Sequence, residues 1–559
     1  MSKQRKAPAT DILPRQVQEE YRRGAAYKNQ LGSRGMYEQN RINERFYVGD
    51  QWHGVNCGDN RPLVRYNVIK RIGDYKMAVV GSSPVSVRFQ AEGVPNTLAL
   101  QEKVSIYRQA MRDGTAAQPT LSDAEEAQAV SGALTDYFGT TARRLKLDML
   151  KQRVLRNAYI AGTGVLYTYW DDGIRTGLYA DAARRTPIRG DIAAEVLEIE
   201  QVYMGDPSLT DIQEQPYVLI AQRRPVEEIR RLARRQGCKE WESIIPEEEG
   251  QAVLLTRFWK QWSAEGERCT VHGMQVCGDV VVRAPWELGV SLYPLAVFRW
   301  EEQRHQAYGD SEIPYLIPNQ IAINRSISAG VWSVMMMGMP IMLVNGDVVT
   351  QPITNDPGQV VPVYGAGEEV RDAIRYVDPP AFSEQVDANV QSLINDTMAQ
   401  AGVNSALLGD VQPNNTSAII AVREASLMPL QMLQNRFYGF IEEVARIWSE
   451  FWLTMYGNRS LKIEQEQGVW YMPFDSARYR DMLLNIRVDV GSADPYSEDR
   501  TIETLDNLFS HGVINLGNLL KKRVRNAVLG CNLKNDRMIS VRFQGKPFNI
   551  SNPSLCPNQ

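Results

Sequence analysis

The segment from about 417 to 456 constrains this chain more than any other. Phe437, Phe440, Ile441, Val444, Ile447, Trp448, Phe451, Trp452 and Met455 recur there at the 3.6-residue period of an α-helix, and Gly457-Asn458 ends the run. Pro429 stands in its first half, where a missing N–H and a clash with the carbonyl four residues back predict a kink. A helix this long and this aromatic needs a substantial body folded around it.

Two shorter helices are predicted before it. The first covers about 318–337, with Pro318 at the opening position and Gly338 and Pro340 as its stop. The second covers about 384–401, with Ser383 as cap, Val386, Val390, Leu393, Ile394 and Thr397 on one face and Gly402 closing it. About 45 residues between them are rich in Val, Pro, Gly and Asp, with a β-like run at Val360–Tyr364. The pattern predicts a two-helix stalk with a small β-rich tip.

Upstream, residues 1–30 read as flexible or loosely helical, and a helix over 33–48 stops at Gly49. Val85, Val87 and Phe89 alternate as in a strand, and 93–125 reads as an insertion or loop. A basic helix is expected over 141–161, then a strand from Val165 to Trp170, then mainly strands over 195–300 around a short helix at 227–235. Beyond the long helix, strands are expected near 461–472 and 486–490 and helices near 497–511 and 514–528, with an irregular end.

Composition narrows the function. The 559 residues suit several folding units, and 43% hydrophobic content supports a real core. A net charge of -4 argues against a protein that grips nucleic acid over its whole surface. The longest apolar run, Val331–Val344, falls short of the ~20 residues of a bilayer span and is broken by Gly338 and Pro340. No leader is visible in the polar start, and six scattered cysteines do not suggest a disulfide framework, so a soluble protein made in a reducing cytosol is expected.

Catalytic signatures are sparse. Gly162-Thr163-Gly164 and Gly365-Ala366-Gly367 lack the rest of a dinucleotide fingerprint, and no Walker-type loop occurs. Cys269, His272 and Cys277 fit no common zinc spacing, so no metal and no cofactor is expected. With four histidines and no Gly-x-Ser-x-Gly, a nucleophilic triad has little material. The arginines at 223, 224, 230, 231, 234 and 235 could touch phosphate, but Glu227 and Glu228 stand at ion-pairing distance along a helix. Met335–Met337 read as gap-fillers at a helix end or a subunit contact. Charge is uneven: residues 301–402 hold thirteen acids and four bases, a net of -9, against +5 elsewhere. Such a segment would repel nucleic acid rather than hold it, or is simply a solvated acidic stretch.

Several short motifs, in order along about 30–525, resemble the portal proteins of tailed bacteriophages. They are Arg45-Phe46-Tyr47-Val48-Gly49-Asp50-Gln51-Trp52 with Arg61-Pro62 and Asn67, Val202–Pro207, Pro225–Glu228, Tyr308-Gly309-Asp310-Ser311, and Gly409-Asp410 to Thr416-Ser417. The resemblance implies an α+β portal-protein fold in a dodecameric ring, a virion component made in the host cytoplasm. Its parts would be an N-terminal arm and wing (1–303), a stem helix (304–338), a β-rich clip (339–381), a second stem helix (382–402) and a tunnel loop (403–416). A kinked long helix with a return to the wing (417–496) and a short helical crown with an irregular tail (497–559) would follow.

On that mapping Asp410, Gln412, Asn414, Asn415 and Thr416 would face DNA, and Glu384, Asp387 and Asp396 would make an acidic stem. Glu368, Glu369 and Asp372 would form an acidic clip surface. The implied partners are other copies of the chain, the major capsid protein, a scaffold protein, the terminase large subunit, a head–tail adaptor and double-stranded DNA passing without sequence preference. No enzymatic activity and no membrane are expected. The competing expectations are another phage head–tail component and a multidomain α/β hydrolase.

Overall fold

A computed structural model of the chain describes residues 12–56, 61–82, 85–91, 123–179, 187–247, 249–263, 269–338, 342–349, 351–354, 360–364, 373–376, 384–403, 416–456, 458–465, 468–475, 484–490, 540–543 and 546–549. Helices and strands mix along it. The chain opens with α1 (Pro14–Gln30), α2 (Met36–Val48), α3 (Val68–Ser82), β1 (Val85–Ala91), α4 (Asp123–Leu145) and α5 (Leu147–Ala161). Sheet-forming segments follow as β2 (Thr163–Tyr179), β3 (Pro187–Leu197), β4 (Val202–Met204) and β5 (Tyr217–Pro225), then α6 (Val226–Arg235). Next come β6 (Gln251–Trp262), β7 (Cys269–Cys277), β8 (Val280–Glu287) and β9 (Leu295–Arg299). The later half carries α7 (Ile313–Gly338), β10 (Met342–Val344), β11 (Ile374–Tyr376), α8 (Glu384–Gln400), α9 (Thr416–Met455), β12 (Asn458–Gln465), β13 (Gly468–Asp475) and β14 (Leu484–Val490).

Residues up to Asp489 form one compact unit and those from Val490 on a second. In the second, β15 (Ser540–Phe543) and β16 (Lys546–Asn549) pair as an antiparallel hairpin where an irregular tail is expected from the sequence. Paired strands satisfy backbone groups that an irregular tail would leave to water. The helices expected at 497–511 and 514–528 lie outside the described residues.

Antiparallel pairing dominates the first unit. Strands β4-β5-β6-β7-β8 form a meander, and β3-β2-β9 form a second sheet centred on β2. The aromatic half of α9 packs over the second sheet. Phe437 meets Phe298 of β9 at 5.5 Å, and Trp448 meets Phe138 at 5.2 Å and donates from its indole to Thr168 Oγ1 at 3.2 Å. Phe437, Val444, Trp448 and Trp452 are fully buried, as their period predicts.

Several boundaries differ from the sequence reading. Residues 14–30 form a firm helix: its Glu20 takes two bonds from buried Arg257, at 2.7 and 3.1 Å, and Lys28 is wholly buried. The basic stretch at 141–161 is two helices, separated at Lys146 in the left-handed region (φ 53°). The first stem helix starts at Ile313, not 304 or 318. Ser311 Oγ accepts from the Ile313 amide, Pro314 takes the opening turn, and Pro318 lies inside the helix. The second stem helix runs Glu384–Gln400 and ends in a Schellman arrangement. Gly402 (φ 71°) donates to Ala399 O, and Val403 donates to Met398 O. The long helix continues through Pro429 as one element from Thr416 to Met455.

Two of the short motifs have a packing explanation. Gly162 and Gly309 cross so closely that a Cβ on Gly162 would stand 2.3 Å from the Gly309 carbonyl. Gly309 N donates to Thr163 Oγ1 and Ser311 Oγ donates to Tyr159 O, so these segments fix the start of β2 against the entry to α7.

Candidate interaction surface along a helix pair

Helix α7 changes character along its length of roughly 39 Å at ~1.5 Å per residue. Its lower half buries polar side chains. Gln320, Asn324 and Ser328, four residues apart on one face, are almost wholly buried. They face an extended strap, residues 61–67, that leads into α3. Val64 N donates to Ser328 Oγ at 2.9 Å, Tyr66 N to Asn324 Oδ1 at 3.0 Å and Val68 N to Gln320 Oε1 at 2.9 Å. Gln320 Nε2 returns a bond to Tyr66 O at 2.6 Å.

Elementary geometry explains this ladder. One helical step of four residues rises ~6 Å, and two residues of extended chain span about 6.6 Å. Every second strap amide therefore meets every fourth α7 side chain. The strap pairs with a helix much as a strand pairs with a sheet edge.

Beyond Ser328 apolar side chains of α7 become exposed. Val334 is 61% exposed, Met335 44% and Met336 39%. Helix α8 lies alongside, joined near its end by Asn319 Nδ2 donating to Thr397 Oγ1 at 3.2 Å. Farther out the two helices leave an open groove of about 340 Å³ lined by Ile327, Val331, Val334, Met335, Asp387 and Val390. At the tip, β10 pairs with β11 in antiparallel register, and Val348, Val349 and Ala373 make a separate small core. Its outside carries Leu343 and Tyr364, 54% and 64% exposed. Apolar side chains gathered along an open groove make it a candidate interaction surface.

The acidic positions expected there separate in the structure. Asp387 borders the groove, while Asp396 is exposed farther along α8 and accepts from Ser392 Oγ at 3.2 Å. Glu384 opens α8 and Thr416 opens α9 in backbone terms. Asp410, Gln412, Asn414 and Asn415, and with them Glu368, Glu369 and Asp372, lie outside the described residues.

Other titratable groups serve packing. Lys28 donates to the carbonyls of Ile199, Glu200 and Val202 at 2.6, 3.1 and 2.7 Å, under the Tyr203 ring at 3.8 Å. Burial lowers its pKa well below the ordinary lysine value, whereas three acceptors and the aromatic face favour the ammonium. On α9, Glu443 accepts long bonds from Gln213 Nε2 and Val297 N, both 3.4 Å, and burial pushes its carboxyl up to about 7. Glu450, two turns on, accepts from the amides of Ser291 and Leu292 at 2.7 and 3.1 Å.

Of the basic run, Arg224 pairs with Glu228 and Arg230 with Glu227, and Arg234 stacks over Trp241 at 3.5 Å. His272 stacks on Trp259, and Cys277 sits in a core cluster with Val280 and Val282. Among the described residues no group of three His, Cys, Asp or Glu is placed to hold a metal. A cleft of about 530 Å³ sets Arg41, Arg153 and Arg156 near Glu44, Glu198 and Glu200, a balanced set of charges. Among the described residues no helix is long and apolar enough to cross a membrane.

Comparison with known proteins corrects the portal reading. No family model matches the chain. The curated proteins it resembles are Craniofacial development protein 2 of Bos taurus, 79% identical, and of Tragulus javanicus, 73% identical, each over 33 residues. Both are eukaryotic proteins, and these matches overturn the bacteriophage-portal assignment together with its virion and DNA-packaging role. The ordered short motifs that suggested a portal are each too brief to define a family, and at least one follows from local packing around Gly309. Each match spans 6% of this chain and 6% of the curated protein, so the chain is similar to these proteins over a short segment alone.

Proposed function

We propose that this chain is a non-catalytic assembly subunit, which associates with further copies of itself through the outer part of the α7–α8 helix pair. The observation that carries this reading is the change along α7. Polar side chains are buried in its lower half, and Val334, Met335 and Met336 are exposed in its upper half. Exposed apolar groups gain about 25 cal/mol for each Å² they later remove from water. Among the described residues these three side chains stay exposed in one copy.

The fate of the other candidate residues supports the same reading. Cys277 and His272 of β7 pack, Arg230 of α6 pairs with Glu227, and Arg234 stacks on Trp241. Sedimentation velocity on the purified chain tests the proposal. Species heavier than the 63.2 kDa monomer, growing with concentration through the micromolar range, are expected. A monomer throughout that range overturns the reading.

A further inference from the structure

We infer that the distal groove of one copy receives the 61–67 strap of the next, in a head-to-tail contact between two different faces of the chain. The inference rests on the self-association proposed above and names the two surfaces that meet. One is the groove between α7 and α8, apolar on its walls and bordered by Asp387. The other is the outer side of the strap. Arg61, Leu63, Arg65 and Tyr66 are exposed there, Leu63 by 39% and Tyr66 by 40%.

Charge selects this pairing. Residues 61–71 contain Arg61, Arg65, Lys70 and Arg71 and no acid, all four exposed. The groove carries the Asp387 carboxylate at its margin and no base among its lining residues, and Asp396 is exposed farther along α8. Complementary surfaces steer encounter and penalise wrong partners. An apolar Leu63 between two arginines matches an apolar groove with a carboxylate at its margin.

The strap is also pre-organised. Its alternate amides are already bonded to Ser328, Asn324 and Gln320, so little chain entropy remains to be lost when it docks. On α7 the strap-facing residues 320, 324 and 328 and the α8-facing residues 319, 327 and 334 point in directions roughly 100° apart at 100° per residue. One copy can therefore give its strap to one neighbour and its groove to another. Such a heterologous contact closes into a ring or runs on as a filament.

Charge exchange tests the contact. Two full-length variants are prepared, Arg61→Glu with Arg65→Glu, and Asp387→Lys, with circular dichroism melts confirming that each stays folded. Each alone is expected to raise the concentration for half-assembly by about tenfold or more, because like charges then face each other. Mixing the two in equal amounts, or combining all three changes in one chain, is expected to restore assembly. Folded variants that assemble like the unaltered chain, or a combined variant that fails to recover, would overturn this contact while leaving self-association standing. If the unaltered chain is itself monomeric, the reading beneath it fails as well.

Discussion

The two halves of α7 lie on one helix, yet the lower half buries polar side chains along with apolar Ile313, Leu316 and Ile323, while the upper half exposes apolar ones. In the lower half Gln320, Asn324 and Ser328 are inside, while in the upper half Val334, Met335 and Met336 are outside. A buried amide or hydroxyl costs little when it is fully bonded, and the strap supplies those bonds. An exposed apolar stripe costs nothing in folding but leaves a gain unclaimed until something covers it. Polarity along a helix thus tells where a neighbour sits only once the neighbour's own backbone needs are counted.

The largest effect expected lies where the base of the molecule buries a carboxyl. Glu443 on α9 bonds Gln213 and Val297 only at 3.4 Å, and burial lifts it from 4.5 to about 7. The folded chain therefore binds its proton more tightly than the unfolded chain. The stability this gives is complete below about pH 4.5 and is lost as pH rises through 7, a change of about 3 kcal/mol at 1.36 kcal/mol per pH unit. Glu443→Gln should remove that pH dependence and raise the melting temperature at pH 8. An unaltered melting profile between pH 5 and 8 would place Glu443 with the solvated glutamates instead.

A smaller effect is expected at the ladder. Asn324→Ala leaves the Tyr66 amide without its acceptor and takes a partner from Gln320 and Gln51. An unsatisfied buried donor costs about 1–3 kcal/mol, so urea unfolding should show a loss in that range with little change in slope. Hydrogen exchange should rise first at Val64, Tyr66 and Val68. Loss confined to α7, with the strap still protected, would break the view that these side chains hold the strap.

How far the sequence discloses this arrangement depends on whether a signal is local. The aromatic period of 437–455 is complete within one element, and α9 follows it. Gly49 and Gly402 end α2 and α8 as their left-handed backbone requires. The start of α7 is obscured because Pro318 imitates an opening residue, while the true start uses Ser311 and Pro314. The break at Lys146 carries no glycine or proline to announce it. Gln320, Asn324 and Ser328 show their spacing of four plainly, yet the strap that makes it meaningful is more than 250 residues away. Glu443 reads as one more helix-surface glutamate until β9 packs over it. The exposed methionines are visible as a contact-prone run, but not the groove beside them.

The smallest effect on folding, and the sharpest test of the comparison, belongs to the upper half of α7. Val334→Ser with Met336→Ser changes two side chains exposed by 61% and 39%. Stability should move by no more than about 0.5 kcal/mol, the usual range for surface changes. Self-association should fall, because the apolar area that a second copy would cover has been made polar. The two readouts separate the possible roles of this stripe. If unfolding in urea shifts by several times that amount while the mass in solution stays the same, then the upper half works as core within one copy. A loss of assembly at constant stability is what an interface predicts, and the change along α7 would then mark the boundary between folding and association.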